Sequence, residues 1–234
     1  MRAALLAVAL LAGGCRPAAP PRLTDAVPGS ATAIAGIDLA ALRSSPLFAT
    51  LPPSMTAVRE ASKALLVWDG RDLLILAAGK PAGYTTIAPG IAASGSPAAI
   101  SAAQSQLQTG RTGAPDLVAH TGTGTIWAVV HRDGHLPLTG NLANLNNLLR
   151  DAEYTTLSGE LNQALHLTLT AICPTPERAQ RFEASLRAIV TVAAAASARK
   201  PDIAAQLNAV RITREDRTVH ASGSLSPEMI RKLY

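Results

Sequence analysis

Short apolar runs separated by turn residues recur along the chain and predict the strands of a sheet. Residues 32–38 are apolar in both phases, which is typical of a strand buried on both faces. Residues 65–68 and 73–77 flank Asp69-Gly70, a strong hairpin signal, and neither run alternates, so both strands should lie centrally in the sheet. Further strands are predicted at 84–87, 117–119, 125–130, 155–160, 165–173, 210–214 and 218–225, with 117–119 and 125–130 paired as a second hairpin.

Apolar residues spaced three or four apart, preceded by capping residues, predict the helices. Ser96-Pro97 and Thr175-Pro176 each offer an N-cap hydroxyl followed by proline at the first helical position. The second pair begins the longest helix, which runs to about residue 198 and buries a stripe that includes Phe182 and Leu186. A helical turn is predicted at 40–51, and shorter helices at 54–63, 142–152, 202–207 and from 226 onwards.

The order of these elements predicts an α+β fold. From residue 54 the order is helix, two strands, helix, two strands, and it repeats from residue 142. The prediction is antiparallel sheets with helices packed on one face, as two similar αββαββ halves that span 31–135 and 136–234. A single continuous sheet shared by both halves is the alternative.

The phase of two strands in the second half predicts which side chains are buried. Side chains alternate between faces along a strand. Leu167, Leu169, Val219 and Ala221 should therefore be buried, and His166, Thr168, His220 and Ser222 should be exposed. Cys173 shares the buried phase, so we expect an inert thiol rather than a nucleophile.

The first residues of the chain have the pattern of an export leader. Met1-Arg2 is followed by an apolar run over residues 3–12, which is shorter than the about 20 residues that a membrane span needs. The run ends in Gly13-Gly14-Cys15. Residues 16–30 contain four prolines, at 17, 20, 21 and 28, and are predicted to form a tether ahead of the folded body.

Residues 11–15 resemble the lipobox of bacterial envelope lipoproteins, in which small residues precede an obligatory cysteine. The resemblance implies that residues 1–14 are a signal peptide and that Cys15 becomes the acylated N-terminus. In that family an Asp after the cysteine favours retention at the inner membrane, whereas here the position is Arg16. The resemblance therefore implies that the protein is held at the outer membrane by palmitate-type acyl chains and that its folded body faces the periplasm.

Composition and charge narrow the choice of partners. The net charge is +5, and the excess of basic residues in the mature chain lies in residues 174–234. Aromatic residues are only 3%, and no dense basic run occurs, so nucleic acid is not an expected partner. The basic residues could form a positive face for anionic lipid, or be neutralised locally by neighbouring acids; they are Arg178, Arg181, Arg187, Arg199, Lys200, Arg211, Arg214 and Arg217.

Candidate chemistry is sparse. His131 and His135 are four apart, but Asp133-Gly134 between them indicates a turn, and His120 should lie far from His131 on the opposite arm of the predicted hairpin. No nucleophile elbow, Walker loop or dinucleotide fingerprint is present, so we predict no catalytic, cofactor or metal site. The sequence favours a non-catalytic binding or scaffolding module that contacts the membrane through its lipid and an envelope partner. The alternative is an unrecognised periplasmic hydrolase.

Overall fold

The strands form one continuous ten-stranded sheet, in which every neighbouring pair is antiparallel. The computed structural model describes residues 20–45, 48, 60–122, 124–138, 144–226 and 228. The strands are β1 (Ala33–Asp38), β2 (Lys63–Trp68), β3 (Leu73–Ala78), β4 (Thr85–Ala88), β5 (Ile91–Ser94), β6 (Ile126–His131), β7 (Tyr154–Leu161), β8 (Leu165–Ile172), β9 (Arg211–Glu215) and β10 (Thr218–Leu225). Their order is β4-β5-β3-β2-β1-β6-β7-β8-β10-β9. The α+β class is confirmed, in the form of a single shared sheet.

Side-chain caps start the helices where the sequence indicates. The Ser96 hydroxyl accepts from the Ala99 N–H at 3.2 Å, and the Thr175 hydroxyl accepts from the Arg178 N–H at 3.3 Å. The helices are α1 (Leu39–Ser44), α2 (Pro97–Gln108), α3 (Pro115–Ala119), α4 (Leu145–Leu149), α5 (Pro176–Ala196) and α6 (Pro201–Asn208). None of the helices in the described ranges is both long and apolar enough to cross a membrane.

In the first half, α2 and α3 cover one side of the sheet, which we call face 1. Ile34, Val67 and Val129 point to this side and pack against Ala103 of α2 and Leu117 of α3. The opposite side, face 2, carries α1 at one end. In the middle of face 2, Leu66 and Leu73 remain 40% and 45% exposed, so this half has an open apolar strip among the described residues.

In the second half the helices lie on the other side. The register places Val129 opposite Thr156, so face 1 continues into the polar residues of β7, β8 and β10. The apolar residues of these strands point to face 2, where α5 packs Phe182 and Leu186 against Cys173 and Val219. The covering helices therefore change side at the β6–β7 pair.

The predicted strand phase in the second half is confirmed. Val219 and Ala221 are buried, and His166, Thr168, His220 and Ser222 are exposed. Leu167 and Leu169 point to the predicted side but are only half-buried. The reason is a cavity beside them, described below.

The prediction of a strand at 117–119 is wrong, because residues 115–119 form helix α3. Ala114 adopts a left-handed conformation (φ 45°), and Pro115 occupies the first helical position, where its missing N–H is not needed. The first half also contains a β4–β5 hairpin. The sequence predicts a strand near β4, at 84–87, but none at β5. The αββαββ order therefore holds for the second half and not for the first.

Two predicted boundaries also need correction. Residues 23–26, assigned to the tether, form a short 3-10 helix, and Ala26 and Val27 are fully buried in the first-half core. The folded body therefore begins before residue 31, because these apolar residues fill the space between α2 and β3. Lys63, predicted to end a helix, begins β2. Outside the described residues lie the leader with Cys15, most of the predicted helix 54–63, Leu142 and nearly all of the residues predicted to form a C-terminal helix.

The two edges of the sheet differ from its centre. β4 at one edge has four residues and a register shift between Thr86 and Ala88. β9 at the other edge has five residues with one buried side chain, Ile212, and charged residues at three of the other positions. These edges are short, irregular or charged, whereas the central strands are apolar.

Candidate binding pocket

An apolar pocket of about 400 Å³ lies on face 2, between the sheet and α6. Its floor is built by residues of β7 and β8 and by residues 221–225 of β10, and its far wall by Ile203, Gln206 and Leu207 of α6. No residue of α6 is buried, although the helix contacts α5 and β10, because its inner side faces the pocket. The apolar lining residues are Leu157, Leu167, Leu169, Ala221, Leu225, Ile203, Leu207 and Val210. The volume lies within the range of about 300–1,000 Å³ that is usual for small-molecule sites.

Gly223 keeps the floor of the pocket open. It occupies the position in β10 that follows Val219 and Ala221 on face 2, so its missing side chain points into the pocket. A Cβ built there would meet only the Val210 Cγ2 atom, at 3.4 Å. A larger side chain at Gly223 would therefore enter the cavity without first striking the backbone.

A polar cleft of about 330 Å³ adjoins the pocket and shares part of its lining, including Gln206 and Gly223. Its remaining lining includes His166, Thr168 and Arg211, and none of the described residues that line it is acidic. The Gln206 Oε1 atom is buried and has no hydrogen-bond partner in the structure. An unpaired buried acceptor is costly unless something donates to it. The pocket and the cleft meet at Gln206 and residues 222–224, at the end of the β9–β10 pairing, where the cleft reaches the face 1 residues His166, Thr168 and Arg211.

Four of the eight basic residues singled out in the sequence are neutralised by nearby acids in the described structure. Glu183 accepts from Arg187 at 2.9 Å and from Arg214 at 3.1 Å, and these hydrogen bonds, Arg187 first, lower the pKa of the Glu183 carboxyl. Arg181 pairs with Asp151 at 3.0 Å. Arg217 lies 3.7 Å from Asp216. The pairs made by Arg181 and Arg214 join α5 to the segment after α4 and to β9. Among the described residues Arg178, Arg199, Lys200 and Arg211 have no ion pair, and of these Arg211 lies beside the polar cleft.

A second basic cleft lies at the opposite end of the second-half strands. Arg132, Arg150 and Arg178 surround it together with His135 and Asp133, in a volume of about 430 Å³. Arg178 comes from the first turn of α5 and donates to the Arg150 carbonyl oxygen at 3.3 Å. The cleft is positive on balance, and its charges come from both halves of the chain.

The histidines do not form a metal site in the described part of the chain, where no group of three or more His, Cys, Asp or Glu could hold a metal ion. The prediction that His120 and His131 lie far apart is wrong, because α3 brings His120 back over β7. His120 stacks on Tyr154 with ring centroids 4.2 Å apart, and His131 meets the same ring edge-on at 5.1 Å. Burial, with Asp116 and Glu153 nearby, raises the pKa of Tyr154. In the described part of the chain the ring cluster consists of His120, His131 and Tyr154, with no serine or cysteine in it.

Cys173 is fully buried, and desolvation raises the pKa of its thiol to about 11. At neutral pH the reactive thiolate is therefore scarce.

Comparison with known proteins gives the fold and nothing further. No protein-family model matches the chain, and no curated protein matches it. Its fold is similar to that of TP0453 of Treponema. Crystal form III of that protein superposes with a TM-score of 0.52 at 11% identity, covering 92% of this chain and 96% of the other. Crystal form I gives a TM-score of 0.52 at 13% identity, covering 92% and 97%.

The similarity to TP0453 extends over 92% of this chain, so it supports the shared architecture rather than one local motif. It carries no ligand or activity to this protein. The pocket residues were not recognised as a site from the sequence, although Leu167, Leu169 and Ala221 were placed on the correct face. The available signal was Gly223, a glycine in an otherwise apolar strand phase, which often marks close approach of a ligand or backbone.

Proposed function

We propose that this chain is a lipid-anchored envelope protein whose folded body is a non-catalytic binding module for an apolar ligand. Cys15 carries the acyl anchor, and Arg16 after it favours the outer membrane, with the body facing the periplasm. The observation that supports binding is the apolar pocket between α6 and the sheet. Apolar side chains that stay half-exposed around a cavity gain contacts when a ligand removes them from water.

The surroundings of the pocket favour binding over hydrolysis. Its described lining is mainly aliphatic, with Gln206, Ser222 and Ser224 as the polar members. The adjoining cleft adds one imidazole, His166, but the described lining of both contains neither a cysteine nor a carboxylate that could orient the imidazole for hydrolysis. The aromatic cluster around Tyr154 includes residues of β6 and β7 on face 1, whereas the pocket lies on face 2. A binding module therefore accounts for the pocket without assigning a reaction to it.

The anchoring part of the proposal predicts that Cys15→Ser abolishes acylation. Cells fed a palmitate analogue should label the wild-type chain and leave the variant unlabelled, because the serine hydroxyl does not replace the lipidated thiol. Cys173→Ser is the matched control, since that cysteine is buried in the body, and it should label like wild type. Equal labelling of the wild-type and Cys15→Ser chains would overturn the anchor.

The binding part predicts that Gly223→Val prevents uptake of a neutral apolar probe. The whole chain carrying Cys15→Ser, without acyl chains of its own, should enhance the fluorescence of N-phenyl-1-naphthylamine. Gly223→Val in that chain should reduce the affinity at least tenfold, because the valine methyls occupy the floor of the pocket. Valine also suits a strand better than glycine, so the unfolding midpoint should stay the same or rise.

Thr213→Val is the matched control for the probe experiment. Thr213 is an exposed residue of β9 that lines neither the pocket nor the polar cleft, and this substitution should leave probe affinity unchanged. Probe binding that survives Gly223→Val, or that is lost equally in Thr213→Val, would place the binding elsewhere and remove the pocket from the proposal.

A further inference from the structure

We infer that the apolar pocket and the polar cleft together bind one molecule, a single-chain lipid with an anionic headgroup and a hydroxyl next to its chain. The inference rests on the proposed function and names the ligand class for that site. A lysophospholipid has this chemistry. Its acyl chain would lie between α6 and the sheet, and its headgroup would lie in the cleft that contains Arg211.

The shape of the site fits one chain better than two. The pocket is a single space of about 400 Å³, bounded by the strands on one side and by α6 on the other. Its contacts are aliphatic, with Leu157 and Leu169 from the floor and Ile203 and Leu207 from the helix. Each buried CH₂ contributes about 0.8 kcal/mol, which corresponds to an affinity gain of about fourfold per added CH₂ until the pocket is full.

Gln206 indicates where the ligand should carry a hydrogen-bond donor. Its Oε1 atom is buried without a hydrogen-bond partner, and the residue lines both the pocket and the cleft. This acceptor has no surface open to solvent, so a ligand donor pairs with it when the Gln206 amide turns toward the cavity. A purely hydrocarbon ligand would leave it unpaired, whereas a glycerol hydroxyl directly after the acyl ester would donate to it at the junction.

Arg211 selects the charge of the headgroup. It lines the cleft at the start of β9, has no ion pair among the described residues, and has no acidic neighbour in the described lining. Arginine binds phosphate through paired N–H donors, which makes a phosphodiester a better partner than a neutral headgroup. The nearby Arg214 and Arg217 are already held by Glu183 and Asp216, so the free guanidinium is specific to this corner of the sheet.

The test uses the full-length protein carrying Cys15→Ser. It compares the binding of three ligands that share a palmitoyl chain. They are 1-palmitoyl lysophosphatidylglycerol, monopalmitoylglycerol and palmitate, titrated calorimetrically below their critical micelle concentrations. The first has the donor and the negative charge, the second only the donor, and the third only the charge. Lysophosphatidylglycerol should bind at least tenfold more tightly than either of the others.

Two substitutions and one control separate the contributions of the headgroup charge and of the hydroxyl. Arg211→Gln should weaken lysophosphatidylglycerol and palmitate about five- to tenfold and leave monopalmitoylglycerol unchanged, because a charged hydrogen bond is lost. Arg217→Gln changes the net charge equally outside the cleft and should leave all three affinities unchanged. Gln206→Leu should weaken lysophosphatidylglycerol and monopalmitoylglycerol about fivefold and leave palmitate unchanged or tighter.

The outcomes distinguish this inference from the function on which it rests. Failure of the neutral probe to bind removes the apolar pocket itself, and the inference with it. Probe binding together with equal affinity for the three ligands keeps the binding module and overturns the anionic headgroup. Palmitate binding as tightly as the lysolipid would identify a free fatty acid as the ligand and remove the role of the Gln206 acceptor. Equal effects of Arg211→Gln and Arg217→Gln would indicate general charge attraction and overturn the assigned cleft.

Discussion

Replacing Phe182 with alanine is expected to lower the free energy of unfolding by about 3–5 kcal/mol. Phe182 is fully buried and is the largest such side chain in the described structure. It belongs to α5 and points toward the second-half strands, where it packs with Leu186, Ala171 and Val219. An aliphatic, alanine-rich surrounding cannot collapse around the lost ring, because small neighbours have no side chain long enough to refill the space.

Leu169→Ala is the matched comparison in the same half of the sheet. Leu169 is only half-buried, because one side of it faces the pocket, and its removal should cost about 1–2 kcal/mol. Urea unfolding with a constant m-value measures both variants. Equal losses for the two substitutions would mean that Leu169 is covered and that the pocket is closed in solution.

Gly36→Val is expected to destabilise the centre of the sheet by about 3 kcal/mol, the upper end of the usual cost of overpacking. Gly36 lies in β1 between β2 and β6, and the Trp127 indole of β6 occupies the space where a Cβ would stand. Because the backbone of a central strand is held on both sides, neither the strand nor the indole can withdraw cheaply.

Ala35→Val is the control for this prediction, since Ala35 is the adjacent residue of β1 and points to face 2. Its neighbours across the strands are Leu66 and Ala128, which leave room, so the change should stay within about 0.5 kcal/mol. Trp127→Leu should relieve part of the cost of Gly36→Val in the double variant. Similar losses for Gly36→Val and Ala35→Val, without relief by Trp127→Leu, would contradict the assignment of the two faces.

Local patterns predicted the strands and long helices well, because each has a length and an end signal of its own. The Asp69 carboxylate accepts from the N–H groups of Arg71 and Asp72 at 2.8 and 2.7 Å, which is the turn that Asp-Gly indicated. Helix α3 was missed because three apolar residues fit a strand as well as a turn of helix. The distinguishing feature was Pro115-Asp116, proline at the first position with an acidic first turn.

The side of the sheet that each helix covers could not be predicted from local pattern. Strand phase places Leu167 and Leu169 on one face. Side chains buried in a core and side chains that line a pocket would show the same alternation along a strand. The position of α6 decides between core and pocket, and it depends on the α5–α6 connection and on the packing of Val210. The histidine cluster was missed for a related reason, since the distance between His120 and His131 depends on α3 rather than on either strand.

An open sheet of ten strands has two free edges, and each is a template on which another copy could add a strand. Both edges of this protein are protected from such aggregation. β4 is short and loses register, and β9 presents Arg211, Arg214 and Glu215 along its few residues. Arg211 therefore has a second role beside the polar cleft, because a charged residue on an edge strand opposes pairing with a neighbour. At the high local density that the proposed membrane anchor would create, a positive charge at this corner of the sheet would keep copies of the chain apart whether or not a lipid binds there.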